Sequence, residues 1–586
     1  MIQKMIRQML TAQIFSALAV SVCLLIDNIM IGRFLGEEAL AAYGLANPLL
    51  LAIGAIASML AVGVQAACSS SLGRGSQEET DAGYSSALTI SGCVSLVCVM
   101  GVFLFSPALA RLLGAGSEGT LYTETEGYLR GFTLGAPACL GALVLIPFLQ
   151  LAGQNRLLIA AVLTMAVLDI GMDLLNALVF HGGMYGMGLA SSLSYYGAVA
   201  VTGFYFLSRR CAFRFSFRRV SLRKIRELFR SGVPALFGMA AQVILIFTLN
   251  QILKGIGGSG AVAAFSVISS IGNSAGAINT GVGGVSLTLG GIFFHEEDRT
   301  SLRETIRTLV RYAALLGAGM CVLLLAAAPA LTALFLSPDS PVFATAVLGL
   351  RIFSTGLAAC CVNNALKSMY QATGRMALAG GFAVVEGAVL PILAAFVLSC
   401  FLGTTGVWLY YLVGETAALI LMGVWVRKAT GRLPWQEDAV LMLKKDFGAA
   451  PEDQMELRIS SLKEVAEAAE TAEGFCLSHG QSGRLSSHIG LCVEEMAGNI
   501  IQHGFSADGG KHHLYLRLVR KPDLWVLRFR DDCGAFNPLQ YVPRDREDGL
   551  GIRLAMKMAR EASYTHSLNL NNLTLKLAAE NAEEMK

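Results

Sequence analysis

The sequence predicts a polytopic α-helical membrane protein of about 12 transmembrane helices, built as two parallel six-helix repeats, with a small soluble α/β domain at its C-terminal end. Three observations carry this reading. Of 586 residues 54% are hydrophobic and the mean hydropathy is +0.57, outside the range of ordinary soluble domains. The apolar residues gather in runs of about 20, the length that crosses a hydrocarbon core of roughly 30 Å as helix. After Trp425 the apolar runs stop and the composition becomes charged. A chain of this length needs more than one core.

The first six runs lie near 10–31, 47–71, 86–106, 128–150, 157–180 and 186–207. The second six lie near 233–254, 261–293, 309–336, 346–370, 376–401 and 404–426. The basic then apolar start, "MIQKMIRQMLTAQIFSALAV", continues apolar to Ile31, so it reads as a retained first span and not as a cleaved signal peptide. Between the two sets, nine Arg or Lys fall from Arg209 to Arg230. Positive residues gather on the cytoplasmic side, so this loop is expected inside the cell. Six spans on either side then place both termini there, and Lys4, Arg7, Arg427, Lys428 and Arg432 agree. The expected location is the inner or plasma membrane. The 13 Cys show no C-x-x-C pair, which supports neither a disulfide framework nor a zinc site. No nucleic-acid partner is expected.

The two sets resemble each other. "DNIMIGRFLGEEALAAYGLA" from Asp27 pairs with "NQILKGIGGSGAVAAFSV" from Asn250, an offset of about 223 residues. "FLQLAGQNRLLIA" pairs with "SMYQATGRMALAG", and "GMYGMGL" with "GTTGVWL". An offset of six spans keeps both copies in one orientation, as in transporters whose lobes rock about a central cavity.

On these stretches the chain resembles the multidrug and toxic compound extrusion (MATE) family. "IDNIMIGRFLGEEALAAYGLANPL" looks like its opening motif, "MDLLNALVFHGGMYGMGLA" like the end of its fifth span, and "VNNALKSMYQATGR" like its tenth, over roughly residues 10–430. The resemblance implies twelve helices in two lobes. It also implies export of small organic, often cationic, compounds, driven by inward flow of sodium ions or protons.

An ionised group inside a membrane is costly and is by default a functional candidate. Asp27 lies in the first span; Asp169, Asp173 and Asn176 lie in the fifth at i, i+4 and i+7, on one helix face. Two carboxylates near an amide oxygen could hold a sodium ion or share a proton. The second copy has Asn250 in place of Asp27 and an apolar stretch near Ile392 in place of Asp173, so the repeat does not need these acids to fold. Gln242 stands in the seventh span where some MATE members have a Glu. Glu386 and Glu415 are the remaining acids of the second copy, as structural hydrogen-bonding groups or as substrate contacts.

In the soluble end, "MELRIS" reads as a strand and "SLKEVAEAAETAEGFCLSH" as an amphipathic helix. Next come a helix over "VEEMAGNIIQHGF", two alternating strands, a Gly turn into a helix at "DGLGIRLAMKMA", and a last strand at "LTLKLA". No G-x-x-x-x-G-K-[ST] occurs, so this is not the engine of a P-loop pump. "EEMAGNIIQH", "RDDCGAFNP" and "DGLGIRLA" resemble, in order, the nucleotide boxes of the histidine-kinase-like ATPase fold, and "FNP" is most similar to anti-sigma-factor serine kinases. The resemblance implies an α/β sandwich that binds ATP with magnesium. Asn499 is then the metal ligand, Glu495 the general base, and an aspartate of the second box the adenine contact. That aspartate is Asp531 counted back from "FNP", or Asp532 if D-x-G is read literally, with Cys533 where Gly is expected. Gly549 and Gly551 let phosphates approach backbone N–H groups at a helix start. His503 reads as a packing or capping residue and Glu494 as a solvated neighbour.

The expected organisation is an N-terminal lobe over 1–208, a basic loop over 209–230 and a C-terminal lobe over 231–427. A linker over 428–455 and the ATP-binding domain over 456–586 complete it. The leading expectation is a secondary exporter whose soluble domain regulates transport or phosphorylates a cytoplasmic protein partner. The rivals are a receptor that signals without transport and a flippase of lipid-linked substrates.

Overall fold

The computed structural model describes residues 2–208, 211–444, 447–506, 512–541 and 549–579. Arg209 and Arg210 of the expected basic loop, Asp548 of the third box and the last residues of the soluble domain lie outside the described residues.

The first set of runs folds as α1 (Ile2–Met30), α2 (Glu37–Gly73), α3 (Gln77–Leu112), a pair α4 (Thr120–Thr133) and α5 (Ala136–Leu151), α6 (Asn155–Leu175) and α7 (Gly183–Phe206). The second set has the same order: α8 (Leu222–Gly258), α9 (Gly260–His295), α10 (Arg299–Ala333), a pair α11 (Phe343–Ser354) and α12 (Leu357–Ala372), α13 (Met376–Trp408) and α14 (Tyr410–Thr430). The pairs bend by 47° and 44°, at Gly135 and Gly356, in corresponding places of the two sets. Among the described residues eight helices are long and apolar enough to cross a membrane, or ten if each bent pair is one span. The expected sixth and twelfth runs do form helices, α7 and α14, but stand outside that set. α7 carries the polar stretch Ser191–Tyr196, and α14 carries Glu415, Arg427 and Lys428.

One core joins the two sets at a single end of the bundle. It contains Ile6, Leu72, Tyr84, Phe148 and Leu228 together with Ile292, Leu302, Tyr370 and Val426. At the other end the cores are separate, one around Tyr43, Tyr128 and Met184, the other around Phe265, Leu350 and Trp408. The lobes therefore meet at one end and part at the other. Where α2 crosses α8 the backbones nearly touch: a Cβ on Gly232 would lie 2.0 Å from the Met59 carbonyl oxygen, and one on Gly63 2.2 Å from that of Leu228. Small residues permit such approach within a membrane. Gly232→Leu is expected to destabilise the protein by about 1–3 kcal/mol, the usual scale of overpacking. Gly238→Ala, one turn and a half further along α8, meets only Ala383 at 3.8 Å and is the control. Thermal unfolding of the two purified proteins compares them, and equal midpoints would refute a tight crossing.

The segment after α14 is strapped to the bundle. Ala439, Leu441 and Leu443 enter the shared core, Arg303 Nε donates to Asp438 at 2.6 Å, and Arg307 Nε donates to Glu437 at 2.7 Å. Beyond it β1 (Gln454–Ile459), α15 (Leu462–Ser478), α16 (Gly483–Asn499), β2 (Leu514–Arg520), β3 (Leu524–Asp531), α17 (Leu550–Met558), β4 (Glu561–Ser567) and β5 (Leu570–Ala578) follow in order. The sheet is antiparallel throughout, in the order β1-β2-β3-β5-β4. β4, "EASYTHS", lacks the apolar alternation that marks the other strands, and the sequence reading missed it. Its turn into β5 uses Leu568 and Asn569 at φ 57° and 59°, the left-handed pair of a tight hairpin.

Alternation sorts the sheet into two faces. Leu514, Leu516, Trp525, Leu527, Phe529, Leu573 and Leu575 form one core with α15, α16 and α17. Arg517, Arg528 and Arg530 point the other way, toward the joined end of the bundle, where they meet Glu296 and Asp298 of the α9–α10 loop. From the first lobe, the carbonyl oxygens of Leu151 and Ala152 accept from the N–H groups of Leu568 and Asn569 at 2.6 and 3.1 Å.

Candidate functional sites

The first site lies in the N-terminal lobe. Asp27 sits in the last turn of α1, and a π-helical turn, Ile31–Leu35, follows it. Asp169 and Asp173 lie on one face of α6, which also passes into a π-turn, Asn176–Phe180. Such turns often mark functional places in helices. The structure brings the three acids together where α1 packs on α6. All three are buried, and Asp27 Oδ1, Asp169 Oδ1 and both Asp173 oxygens have no hydrogen-bond partner. Orphaned buried oxygens are rare and costly. The donor set is hard oxygen on two packed helices, which fits a small cation or a proton.

Asn176 is committed elsewhere. Its Oδ1 accepts from Gly182 N–H at 3.1 Å and its amide donates to the Gly183 carbonyl at 3.1 Å, so it caps the turn between α6 and α7. Asn250 is half-buried with its Oδ1 unpartnered, and Gln242 is exposed.

The C-terminal lobe has its own buried polar cluster. Glu386 lies in a third π-turn, Val385–Val389, and pairs with Lys367 at 3.0 Å. Asn363 donates to Glu415 Oε2 at 2.8 Å, and Cys360, Glu386 and Glu415 place their ligand atoms within 4.8 Å of one another. The sequence reading left Lys367 and Asn363 unassigned. Their i, i+4 spacing inside "VNNALKSMYQATGR" was the available signal, and only the fold pairs them with acids from α13 and α14.

The second site lies in the C-terminal sheet domain. Glu495 and Asn499 are half-buried on α16, and a π-turn, Ile500–Gly504, follows; His503 is exposed. The three boxes converge. Gly551 packs so closely on Glu495 that a Cβ there would lie 1.7 Å from the carboxylate, and a Cβ on Gly504 would lie 2.9 Å from the Cys533 sulfur. Gly549 has φ +64° and begins α17.

Asp531 and Asp532 take different parts. Asp531 is buried on the helix-facing side of the sheet, accepting from Asn571 Nδ2 at 2.8 Å and from Cys533 N–H at 3.0 Å. Burial pushes its carboxyl above the ordinary range, against those two donors. Asp532 accepts from His513 N–H at 2.8 Å and faces His512, at the entry to β2. Asn571 is a hub that sequence reading missed: its Oδ1 also accepts from the Tyr564 hydroxyl at 2.6 Å. Only the pairing of β3 with β5 puts it beside Asp531.

Two six-helix sets joined at one end and parted at the other, with orphaned acids buried in one of them, define a bilobal membrane transporter with a small C-terminal sheet domain. The MatE family model matches residues 12–175 and 234–399, two segments separated by the offset of the internal repeat. The chain belongs to the MATE family and is a multi-pass membrane transporter. Solved structures share its fold. A multidrug resistance MATE family transporter of the MOP superfamily, in an outward-facing conformation, is 20% identical with a TM-score of 0.69, covering 75% of this chain and 97% of its own. A MOP superfamily transporter from Pyrococcus furiosus gives 21% identity and a TM-score of 0.68, covering 73% and 95%. A Vibrio cholerae MATE transporter gives 19% and 0.67, covering 73% and 97%. No curated protein matches the chain.

Proposed function

We propose that this protein is a twelve-span secondary exporter of small organic, cationic compounds, driven by inward flow of sodium ions or protons. It sits in the inner or plasma membrane with both termini and the 209–230 loop in the cytoplasm. The observation that carries the reading is the cluster of Asp27, Asp169 and Asp173, the acids with orphaned buried oxygens among the described residues, all in the first lobe. A group that must take up and release a cation during a cycle is left unsatisfied between the two events. A substrate would bind between the lobes toward the far end, where their cores are separate.

The soluble domain, in this reading, binds magnesium–ATP and regulates transport or phosphorylates a cytoplasmic protein partner. The convergence of the three boxes, with Gly551 against Glu495, supports it. Asn499 would hold the metal, Asp531 would accept from the adenine amine, and Glu495 would take the proton of an attacking hydroxyl. Bound magnesium–ATP supplies a transferable phosphoryl group. Cys533, in place of Gly, is itself buried and packs against Gly504, so the departure fills space within the box.

Transport of a fluorescent organic cation into everted vesicles, under imposed sodium or proton gradients and with or without ATP, tests the reading. Uptake that follows one gradient names the coupling ion. Uptake under neither, with intact nucleotide binding, replaces the exporter with a receptor. Orientation is checked by cysteine labelling in a Cys-depleted variant. A probe within 211–230 is expected to stay unlabelled in intact cells and to label in everted vesicles, and labelling from outside overturns the topology.

A further inference from the structure

Where the sheet meets the helical bundle there is a cavity of ≈ 340 Å³. Arg74 comes to its wall from the α2–α3 turn, Arg517, Arg528 and Lys576 from the strands, and Lys521 from the β2–β3 turn. Glu296 and Glu297 are the carboxylates of that wall, and Ser563, Thr565, Asn572 and Thr574 add hydroxyl and amide groups. Five cations therefore face two anions.

Ion pairing answers most of these cations and leaves one unmatched: Arg74 pairs with Glu79 at 2.8 Å, Lys521 with Glu297 at 2.5 Å and Lys576 with Glu561 at 2.9 Å. Arg517 stands opposite Arg528 in the β2–β3 register, a like-charge pair that destabilises a sheet unless something neutralises it. Arg517 has two carboxylates of its own, Asp298 at 2.7 Å and Glu456 at 3.3 Å. Arg528 does not. Its nearest carboxylate, Glu296 at 3.3 Å, is gripped through both oxygens by Arg530 at 2.9 and 2.7 Å. Its Nε reaches only the Thr574 hydroxyl, at 3.3 Å. Burial holds the Arg528 guanidinium below the usual arginine range; Glu296 opposes this and Arg530 and Arg517 add to it. A buried cation that shares its counter-ion calls for another anion.

We propose that this cavity binds a small phosphate-bearing anion, held by Arg528 and by the Lys521 and Lys576 ammonium groups across the seam between the sheet and the transporter. Guanidinium matches phosphate oxygens in geometry and charge, and the hydroxyls of Thr574 and Ser563 supply further donors. The volume suits a phosphate or a phosphorylated small molecule. This site is separate from the three boxes, because Arg528 and Asn499 lie on opposite sides of the sheet. A bound anion gives Arg528 a counter-ion that it does not share with Arg530, so it strengthens the docking of the sheet on both lobes.

The test uses the full chain in neutral detergent, with thermal unfolding followed at constant ionic strength. Inorganic phosphate and pyrophosphate, without magnesium or nucleotide, are expected to raise the midpoint saturably where chloride does not. Arg528→Gln is expected to weaken that effect at least tenfold, and Asn499→Ala to leave it unchanged. Should Arg528→Gln fail to fold, the double variant Lys521→Gln, Lys576→Gln is expected to show the same weakening. Short-chain phosphatidic acid is the second arm. Stabilisation by the soluble anions assigns a soluble ligand, and stabilisation by phosphatidic acid alone assigns a lipid headgroup. The proposal is overturned if neither stabilises, if the effect survives the seam variants, or if Asn499→Ala removes it.

Discussion

Asp27→Asn is expected to abolish gradient-driven efflux while the protein still inserts and assembles. Asn keeps the shape of the side chain and removes its charge, and charge is what a coupling ion reads. Folding has little to lose, since Asp27 Oδ1 has no partner and the residue lies outside the core that joins the lobes. Indeed the other lobe folds with Asn250 at the corresponding place. The comparison is therefore internal: Asn250→Ala, also at a half-buried amide with an orphaned oxygen, is expected to reduce transport less. Asp173→Asn should resemble Asp27→Asn, because both Asp173 oxygens are orphaned in the same cluster. Uptake into everted vesicles, normalised to protein content, measures all three. Equal losses at Asp27 and Asn250 would mean that the acid has no special part, and the coupling assignment would be withdrawn.

The second large effect is expected in the soluble domain. Asn499→Ala should lose magnesium–ATP affinity, whereas Glu495→Gln should bind ATP and fail to use it. A missing metal ligand weakens the bound complex, while a missing base leaves binding intact and slows proton removal by on the order of 100- to 10,000-fold. Gln retains the shape that Gly551 accommodates, so the contact between α16 and α17 survives the change. Calorimetry on the three full-length proteins in detergent reads the first effect, and phosphate release or labelling of a cytoplasmic Ser or Thr reads the second. If ATP alters transport equally in the parent and in Glu495→Gln, the domain is a switch that needs binding alone. Absence of nucleotide binding in the parent would make the boxes a protein-docking surface instead.

Much of this protein was legible in its sequence. Runs of about 20 apolar residues locate the helices, since a bilayer requires every backbone polar group to be satisfied within its own segment. A fixed offset between Asp27 and Asn250 gives the repeat, because duplicated helices retain their spacing. Strand alternation gives β2 and β3, and glycine gives the start of α17. All of these are local rules, or rules of period, that a chain carries along its length.

What only the tertiary structure decided depends on which segments meet. Periodicity puts Asp169, Asp173 and Asn176 on one face. The turn after α6 then takes Asn176 as its cap, while packing of α1 on α6 adds Asp27 to the two acids. Lys367 reads as a stray basic residue until α12, α13 and α14 pack and give it Glu386. Asn571 is unremarked in sequence until β5 pairs with β3 beside Asp531. The alternating arginines of β2 and β3 look like a solvated face of a sheet. They become a seam because Glu296 and Asp298, more than 200 residues earlier, close the α9–α10 loop against them. Covalent order sets which side chains share a helix or a strand; charge balance across a packed interface is a property of pairs that the order does not contain.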